Sequence, residues 1–171
     1  MKLSRVWSSP GASILAVAIL TAPTMAWSSD TVLDAAAAQK LLPPSVYYHG
    51  QVAPTQLRNS CGVSFADGHH LLAVLVDTSG YSSEIASKYQ AYFITEVPIR
   101  FGRQNLPAGV YGVGFIAGNE FVVTNVGAHD VLTVPYAVDE GMKRPFPLQI
   151  RADPSGGFRL YEGRKYVRFS Y

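Results

Sequence analysis

The chain has 171 residues, a formal charge of +2, a single cysteine and charged residues at 15% of its positions. One cysteine excludes a disulfide within the chain, so the fold must depend on buried apolar surface. The near-neutral charge provides no electrostatic footprint for a phosphate backbone, which excludes nucleic acid as the expected partner.

The first residues predict a secretory signal peptide. Lys2 and Arg5 precede an apolar run, and Thr24-Met25-Ala26 places small residues where a signal peptidase cuts. The apolar run is far shorter than the roughly 20 residues that span a bilayer. We therefore expect residues 1–26 to be removed. A single domain over 27–171 would then be exported, to the periplasm or outside the cell, with no transmembrane helix.

One α-helix is predicted at the start of this domain. Asp30 or Thr31 can cap it, an alanine-rich run follows, and Pro43-Pro44 ends it, so the helix covers 31–42. Its expected role is to cover one face of a sheet. A single further helical turn is predicted at 82–88.

The rest of the domain predicts short strands. Segments rich in Val, Ile, Tyr and Phe alternate with turn residues, and many short strands without crossover helices are typical of an all-β domain. We expect an antiparallel β-sandwich or flattened small barrel with one N-terminal α-helix. The predicted strands cover 45–52, 57–66, 69–77, 89–101, 110–117, 120–134, 147–152, 157–161 and 164–171.

Two adjacent histidines follow a predicted hairpin turn. Asp67-Gly68 predicts a two-residue loop, which places Phe65 opposite His70 at the edge of an apolar face, while His69 points the other way. Regular strand geometry therefore keeps the two imidazoles from binding one metal ion, and we expect no metal or cofactor. The strand 69–77 is apolar on both faces, which indicates a central position in the sheet.

The acid at the end of this strand suggests an enzyme alternative. Leu75-Val76-Asp77-Thr78-Ser79-Gly80 resembles the strand that runs into Asp-Thr-Gly in aspartic peptidases, whose chemistry needs two carboxylates that share a proton. Here Ser79 is inserted before the glycine, and the motif occurs once. An aspartic-type hydrolase using Asp77 therefore stays as the alternative, and a turn at a strand end is the simpler interpretation.

A turn motif lies between two later strands. Asn105-Leu106-Pro107-Ala108-Gly109 is expected to join the strands at 99–101 and 110–111 as a hairpin. The stretch from Phe101 to Tyr111 resembles uncharacterised small secreted bacterial β-domain proteins that carry a Leu-Pro-Ala-Gly-x-Tyr hairpin. The resemblance covers about eleven residues and implies a turn in an exported β-domain, without implying any catalytic or binding residue.

Two glycines provide the candidate ligand surface. Gly112 and Gly114 share one face of the strand 110–117, and a face without side chains lets another group approach closely. The helix at 31–42 packing there is one interpretation, and a ligand is the other. Together with His70, these glycines are the candidate contact residues.

The chain ends in alternating apolar residues and an aromatic, as in the last strand of outer-membrane barrels. A small outer-membrane β-barrel is therefore a second alternative, although the doubly apolar strand at 69–77 does not suit a polar lumen. The function expected from the whole sequence is non-enzymatic, a binding or structural role in the cell envelope or outside the cell. The expected partner is a small molecule, a glycan or an envelope protein, and the 10 tyrosines suit such contacts.

Overall fold

The computed structural model describes residues 29–171, and the predicted signal peptide lies outside the described residues. The two helices are α1 (Ala35–Ala38) and α2 (Ser83–Lys88). The strands are β1 (Thr31–Leu33), β2 (Ser45–Tyr48), β3 (Gln51–Ser64), β4 (His70–Val76), β5 (Ala91–Thr95), β6 (Ile99–Phe101), β7 (Gln104–Leu106), β8 (Gly109–Ile116), β9 (Glu120–Thr124), β10 (Asp130–Pro135), β11 (Ala137–Val138), β12 (Gln149–Ala152), β13 (Phe158–Glu162) and β14 (Lys165–Phe169). The predicted all-β class is confirmed.

Two antiparallel sheets form a sandwich. The large sheet has the order β1-β3-β4-β5-β8-β9-β10, with β2 paired to β3, and the small sheet has the order β11-β14-β13-β12. Strands β6 and β7 form a separate hairpin beside them. Within residues 29–171 neither sheet closes on itself, so the sandwich is the correct alternative and the flattened barrel is not.

Aromatic residues from both sheets meet in the core. The ring centroids of Phe65 and Phe158 lie 6.2 Å apart, and those of Phe101 and Phe169 lie 6.0 Å apart. Phe93, from the centre of the large sheet, is completely buried in the same cluster. Because side chains alternate along a strand, the opposite face of each strand points away from this core.

Strand β4 lies between β3 and β5, as its double apolar pattern predicts. Leu71 and Ala73 face the core between the sheets. Leu72 and Val74 face the other way and pack with Ala38 of α1. The central position of the strand predicted at 69–77 is therefore confirmed.

The β3–β4 hairpin has a different register from the predicted one. Ser64 lies opposite His70, one position away from the expected partner. The loop has three residues, closed by a hydrogen bond of 2.8 Å from the N–H of Phe65 to the carbonyl of His69. Gly68 has a φ of 89°, which suits the last residue of such a loop. The one-residue change places His70 on the face opposite Phe65.

Most of the helix predicted over 31–42 does not form. Only Ala35–Ala38 is helical, and Thr31–Leu33 pairs with β3 as a strand. Asp34 caps the helix, its Oδ1 accepting the N–H of Ala37 at 2.9 Å. Pairing with the edge of β3 satisfies backbone groups at once, whereas a short isolated helix has little stability of its own.

The second helix matches its prediction. Ser82 caps α2, and its hydroxyl accepts the N–H of Ile85 at 3.4 Å. In the part of the chain that the structure describes, no helix has the length and apolar character to cross a membrane.

The hairpin predicted around 105–109 lies elsewhere. The turn is at Gly102-Arg103, between β6 and β7, and Pro107 instead begins the passage from β7 into β8. The hydroxyl of Tyr111 donates to the carbonyl of Pro107 at 3.0 Å. A Cβ on Gly109 would lie 2.9 Å from that hydroxyl oxygen, so the glycine makes room for the tyrosine.

Candidate functional site

A cleft opens between the β6–β7 turn, the end of β10 and the edge of the small sheet. Its volume is about 640 Å³, within the range of small-molecule sites. The polar and aromatic side chains that line it are Phe101, Arg103, Gln104, Tyr136, Tyr166 and Arg168. Among the described residues no acidic side chain lines this cleft, so its charge is entirely positive.

The hairpin turn presents one wall of the cleft. Gly102 has a φ of 60°, which allows the tight turn and leaves Arg103 exposed at its tip. The side-chain amide of Gln104 donates to the carbonyl of Thr133 at 2.9 Å and ties the hairpin to β10. The position of the Arg103 backbone is therefore set by the large sheet.

The second wall is aromatic. The half-buried Tyr136 meets the ring of Phe115 edge-on, with centroids 5.5 Å apart. The ammonium of Lys165 lies 5.6 Å from the centroid of the Tyr136 ring. These contacts hold the Tyr136 ring in place, and Tyr166 also lines the cleft, with one face of its ring against the Arg159 guanidinium.

Three arginines form a row across the small sheet, continuous with the cleft through Arg168. Arg151 pairs with Arg159, and Arg159 pairs with Arg168, directly opposite each other on β12, β13 and β14. Their sequence neighbours Ile150 and Leu160 are buried in the core, so the arginines lie on the outer face. We refer to Arg151, Arg159 and Arg168 as the arginine row.

One buried carboxylate partly compensates the row. The side chain of Asp153 is 1% exposed; it accepts a hydrogen bond from Nε of Arg159 and forms an ion pair with Nε of Arg168 at 2.9 Å. Hydrogen bonds from Ser155 and from the Arg159 guanidinium hold the pKa of Asp153 well below its usual range. The Arg159 guanidinium also lies 4.7 Å from the centroid of the Tyr166 ring. Arg159 is thus fully engaged with the protein.

The two outer arginines keep part of their hydrogen-bonding capacity. Arg151 donates through Nε to the side chain of Gln149 at 3.0 Å, and Nε of Arg168 forms an ion pair with Asp153 at 2.9 Å. Among the described residues, neither Nη group of Arg151 or Arg168 has a protein partner. A guanidinium held at Nε with exposed Nη groups is arranged to bind carboxylate, sulfate or phosphate.

The basic character is concentrated in this part of the chain. Residues 143–171 contain seven basic and two acidic side chains, although the whole chain has a charge of only +2. On the surface, the basic side chains that meet are Arg103 and Arg168 of the cleft with Arg151 and Arg159 of the row, while Asp139 accepts a hydrogen bond from Tyr161 beside the row.

The structure separates the two histidines. The imidazole of His70 lies 3.4 Å from Glu96, and that of His69 lies 3.1 Å from Asp67. The backbone N–H of His70 also donates to Glu96 at 2.7 Å. Within residues 29–171 no group of three or more metal-binding side chains comes together. His70 lies at the far end of β4 and is not part of the cleft.

The glycine face is covered by the chain itself. A Cβ on Gly112 would lie 2.8 Å from the rings of Tyr48 and Tyr89, and one on Gly114 would lie 2.7 Å from the carbonyl of Lys88. The covering elements are α2 and these tyrosines, not the helix expected at 31–42. Gly112 and Gly114 therefore provide no open ligand surface, and the interpretation of this face as a ligand contact is corrected.

Asp77 shapes a turn at the end of β4. Its carboxylate accepts the N–H of Ser79 at 3.0 Å, and this bond lowers the pKa of Asp77. The side chain is exposed, and within the described residues its hydrogen-bond partner is Ser79 alone. Within the described residues no hydrogen bond joins Asp77 to a second carboxylate, which shared-proton chemistry would need.

Neither the arginine row nor the cleft was predicted from the sequence. The alternation of buried and polar residues in 149–152, 158–162 and 165–169 places each arginine on an outer face, and that signal was available. Their convergence depends on the pairing of three strands. Comparison with protein-family models, curated proteins and solved structures finds no match to the chain.

Proposed function

We propose that the protein is an exported, non-enzymatic binding domain whose ligand occupies the cleft between the β6–β7 turn and the small sheet. The observation that supports this most directly is the lining of the cleft. Two fixed tyrosine rings, Tyr136 and Tyr166, lie with Arg103 and Arg168 around about 640 Å³ of open space. Flat aromatic faces beside hydrogen-bond donors favour a saccharide, whose rings have apolar faces and polar edges.

The side chains of the cleft favour binding over catalysis. Guanidinium, amide and phenol groups hold a ligand through stacking and hydrogen bonds. Gln104 and Arg168 are already fixed by contacts to Thr133 and Asp153, so little side-chain freedom is lost when a ligand binds. A preformed cleft of this kind suits capture of a small ligand in the envelope or outside the cell.

Calorimetric titration tests the binding function. The purified protein is titrated with neutral and acidic oligosaccharides, and binding of at least one of them is expected. Arg103→Gln should weaken that binding by at least about 10-fold through loss of a charged hydrogen bond. Arg100→Gln is the matched control, because Arg100 lies on the same hairpin but lines a different surface depression. Absence of binding to every saccharide, or equal binding by Arg103→Gln, would overturn the proposal.

Export is tested separately. The gene product is expressed with its own first 26 residues in a bacterium, and the cell fractions and the N-terminus of the recovered protein are determined. We expect periplasmic or extracellular protein that begins at Trp27. Cytoplasmic protein that retains Met1 would overturn the export part of the proposal.

A further inference from the structure

We propose that the ligand is an acidic polysaccharide whose chain continues from the cleft across the arginine row, a proposal that rests on the proposed function of the cleft. Arg168 and Tyr166 belong both to the lining of the cleft and to the outer face of the small sheet. The cleft therefore opens directly onto the row, and a chain of sugars that leaves it meets Arg168 first, then Arg159 and Arg151.

The electrostatics of the row favour a negatively charged partner. Like charges directly opposite each other on neighbouring strands destabilise a sheet, and here two such pairs share one strand. Asp153 pairs with Arg159 and Arg168, and Arg151 has no ion pair among the described residues, which leaves an excess of positive charge at Arg151 and at the exposed end of Arg168. Anionic groups of a ligand would relieve that repulsion.

The geometry of the row suits a repeating anion. Neighbouring strands lie about 4.8 Å apart, so Arg151 and Arg168, two strands apart, are separated by roughly 10 Å. That distance is comparable to the length of a disaccharide. Arg151 is held by its hydrogen bond to Gln149 and Arg168 by its ion pair with Asp153, which leaves the Nη groups of both arginines to form paired hydrogen bonds with a carboxylate or sulfate.

Other polyanions fit this surface less well. A membrane surface would need apolar side chains that protrude beside the basic ones, but the residues beside the row on the same face are Gln149, Tyr161 and Tyr166. Tyr161 is buried, and the Arg159 guanidinium lies against one face of the Tyr166 ring, so neither side chain protrudes as an apolar anchor. A nucleic acid needs a broad basic field, which a chain with a total charge of +2 does not provide.

The test compares matched oligosaccharides. The probes are a galacturonic acid hexamer, a sulfated hexasaccharide, and the first hexamer after reduction of its carboxylates to alcohols. Anionic phospholipid vesicles and a DNA duplex are measured in parallel. We expect each acidic hexamer to bind at least about 10-fold more tightly than the neutral hexamer. The affinity for the acidic hexamers should fall as the salt concentration increases.

Variants of the row locate the contact. Arg151→Gln should weaken binding of each acidic hexamer by at least about 5-fold and leave binding of the neutral hexamer unchanged. The affinity of Arg151→Lys for the acidic hexamers should lie between those of wild type and Arg151→Gln. Lys40→Gln, beyond α1 on the other side of the large sheet, removes the same charge and should have no effect. Thermal unfolding of each variant verifies the fold.

The outcomes separate the two proposals. Equal binding of neutral and acidic hexamers, or an unchanged affinity in Arg151→Gln, would overturn the acidic-polysaccharide inference and leave the cleft as a sugar site. Tighter binding of vesicles or DNA than of either acidic hexamer would also overturn it. Binding of no oligosaccharide at all would remove the proposed function together with the inference.

Discussion

The Nε atom of Arg168 lies 2.9 Å from Oδ2 of Asp153, a carboxylate that is almost completely buried. The same oxygen bonds Arg159, and Ser155 donates to the other carboxylate oxygen. Asp153 therefore joins the β12–β13 turn to two arginines of the row. This arrangement links the stability of the small sheet to the surface that we propose binds the ligand.

Replacement of this carboxylate is expected to destabilise the protein. Asp153→Asn keeps the size of the side chain but removes the charge that two arginines contact. We expect the free energy of unfolding at pH 7 to fall by about 2 kcal/mol, as for loss of hydrogen bonds to a charged group. Urea unfolding measures the difference, with Glu140→Gln as the control, since Glu140 is exposed and its side chain has no hydrogen bond or ion pair among the described residues. An unchanged midpoint would contradict this role of Asp153.

The same carboxylate predicts a pH dependence. Hydrogen bonds from Ser155 and Arg159 lower the pKa of Asp153 in the folded protein. Because the folded form releases this proton more readily than the unfolded form, the stabilisation is fully present above about pH 4, where the unfolded carboxyl is ionised, and is lost as the pH falls through the folded pKa. The stability difference between wild type and Asp153→Asn should therefore shrink from pH 5 to pH 2. A constant difference would refute the assignment.

The pKa of a second carboxylate, that of Asp67, depends on a hydrogen bond from Tyr171. The Tyr171 hydroxyl, followed by the backbone N–H of His69, lowers the pKa of Asp67 to about 2. Tyr171→Phe should raise that pKa towards the ordinary value of about 3.9. Carbon NMR of the aspartate carboxyls against pH measures it, and the titration of Asp77 should stay the same. If Asp67 titrates identically in both proteins, the contact with Tyr171 is not formed.

The glycine face predicts a large effect of one methyl group. Gly114→Ala would place a Cβ 2.7 Å from the backbone carbonyl of Lys88, which cannot easily move within α2. We expect a loss of about 1–3 kcal/mol in the free energy of unfolding. Gly141→Ala is the control, since its nearest neighbour would lie at 3.5 Å. Equal stability of the two variants would show that this face is not covered by α2.

Removing the hydroxyl group from each of two stacked tyrosines, Tyr48 and Tyr89, should change the stability of the protein in opposite directions. The ring centroids of Tyr48 and Tyr89 lie 3.6 Å apart in a stacked arrangement. The Tyr48 hydroxyl lies 2.5 Å from Oγ1 of Thr124, whereas the Tyr89 hydroxyl is buried without a hydrogen-bond partner in the described residues. Removing an unsatisfied buried hydroxyl is favourable. Tyr89→Phe should therefore raise the free energy of unfolding by about 1 kcal/mol, and Tyr48→Phe should lower it. Thermal unfolding of both variants provides the measurement, and destabilisation by Tyr89→Phe would argue for an unrecognised partner.

The hydrolase alternative has its own test. Asparagine accepts the N–H of Ser79 as aspartate does, so Asp77→Asn should leave the unfolding temperature within about 1 °C of wild type. The protein and the variant are incubated with denatured casein from pH 3 to pH 7. We expect no cleavage by either protein. Proteolysis with an acid optimum that disappears in the variant would revive a catalytic role for Asp77.

Local sequence patterns determined the class of fold and the centre of the large sheet. Alternating apolar residues, turn residues and the doubly apolar run at 69–77 act over a few neighbours, so they can be interpreted without knowing the partner strands. The register of the β3–β4 hairpin was wrong by one residue, because two- and three-residue loops both accept Asp67-Gly68. The helix expected at 31–42 was shortened because β1 pairs with the edge of β3, a contact distant in sequence.

Only the tertiary structure brought together the residues of the proposed binding surface. Arg151, Arg159 and Arg168 are separated in sequence, and the alternation along each strand predicts only an outward-facing basic residue at each position. The pairing of β12, β13 and β14 sets them side by side, and the β6–β7 hairpin brings Arg103 to the same surface. The arginines come together because of the strand order and the packing of the sheets. Strand order and packing depend on interactions across the whole chain, so no local sequence pattern encodes them.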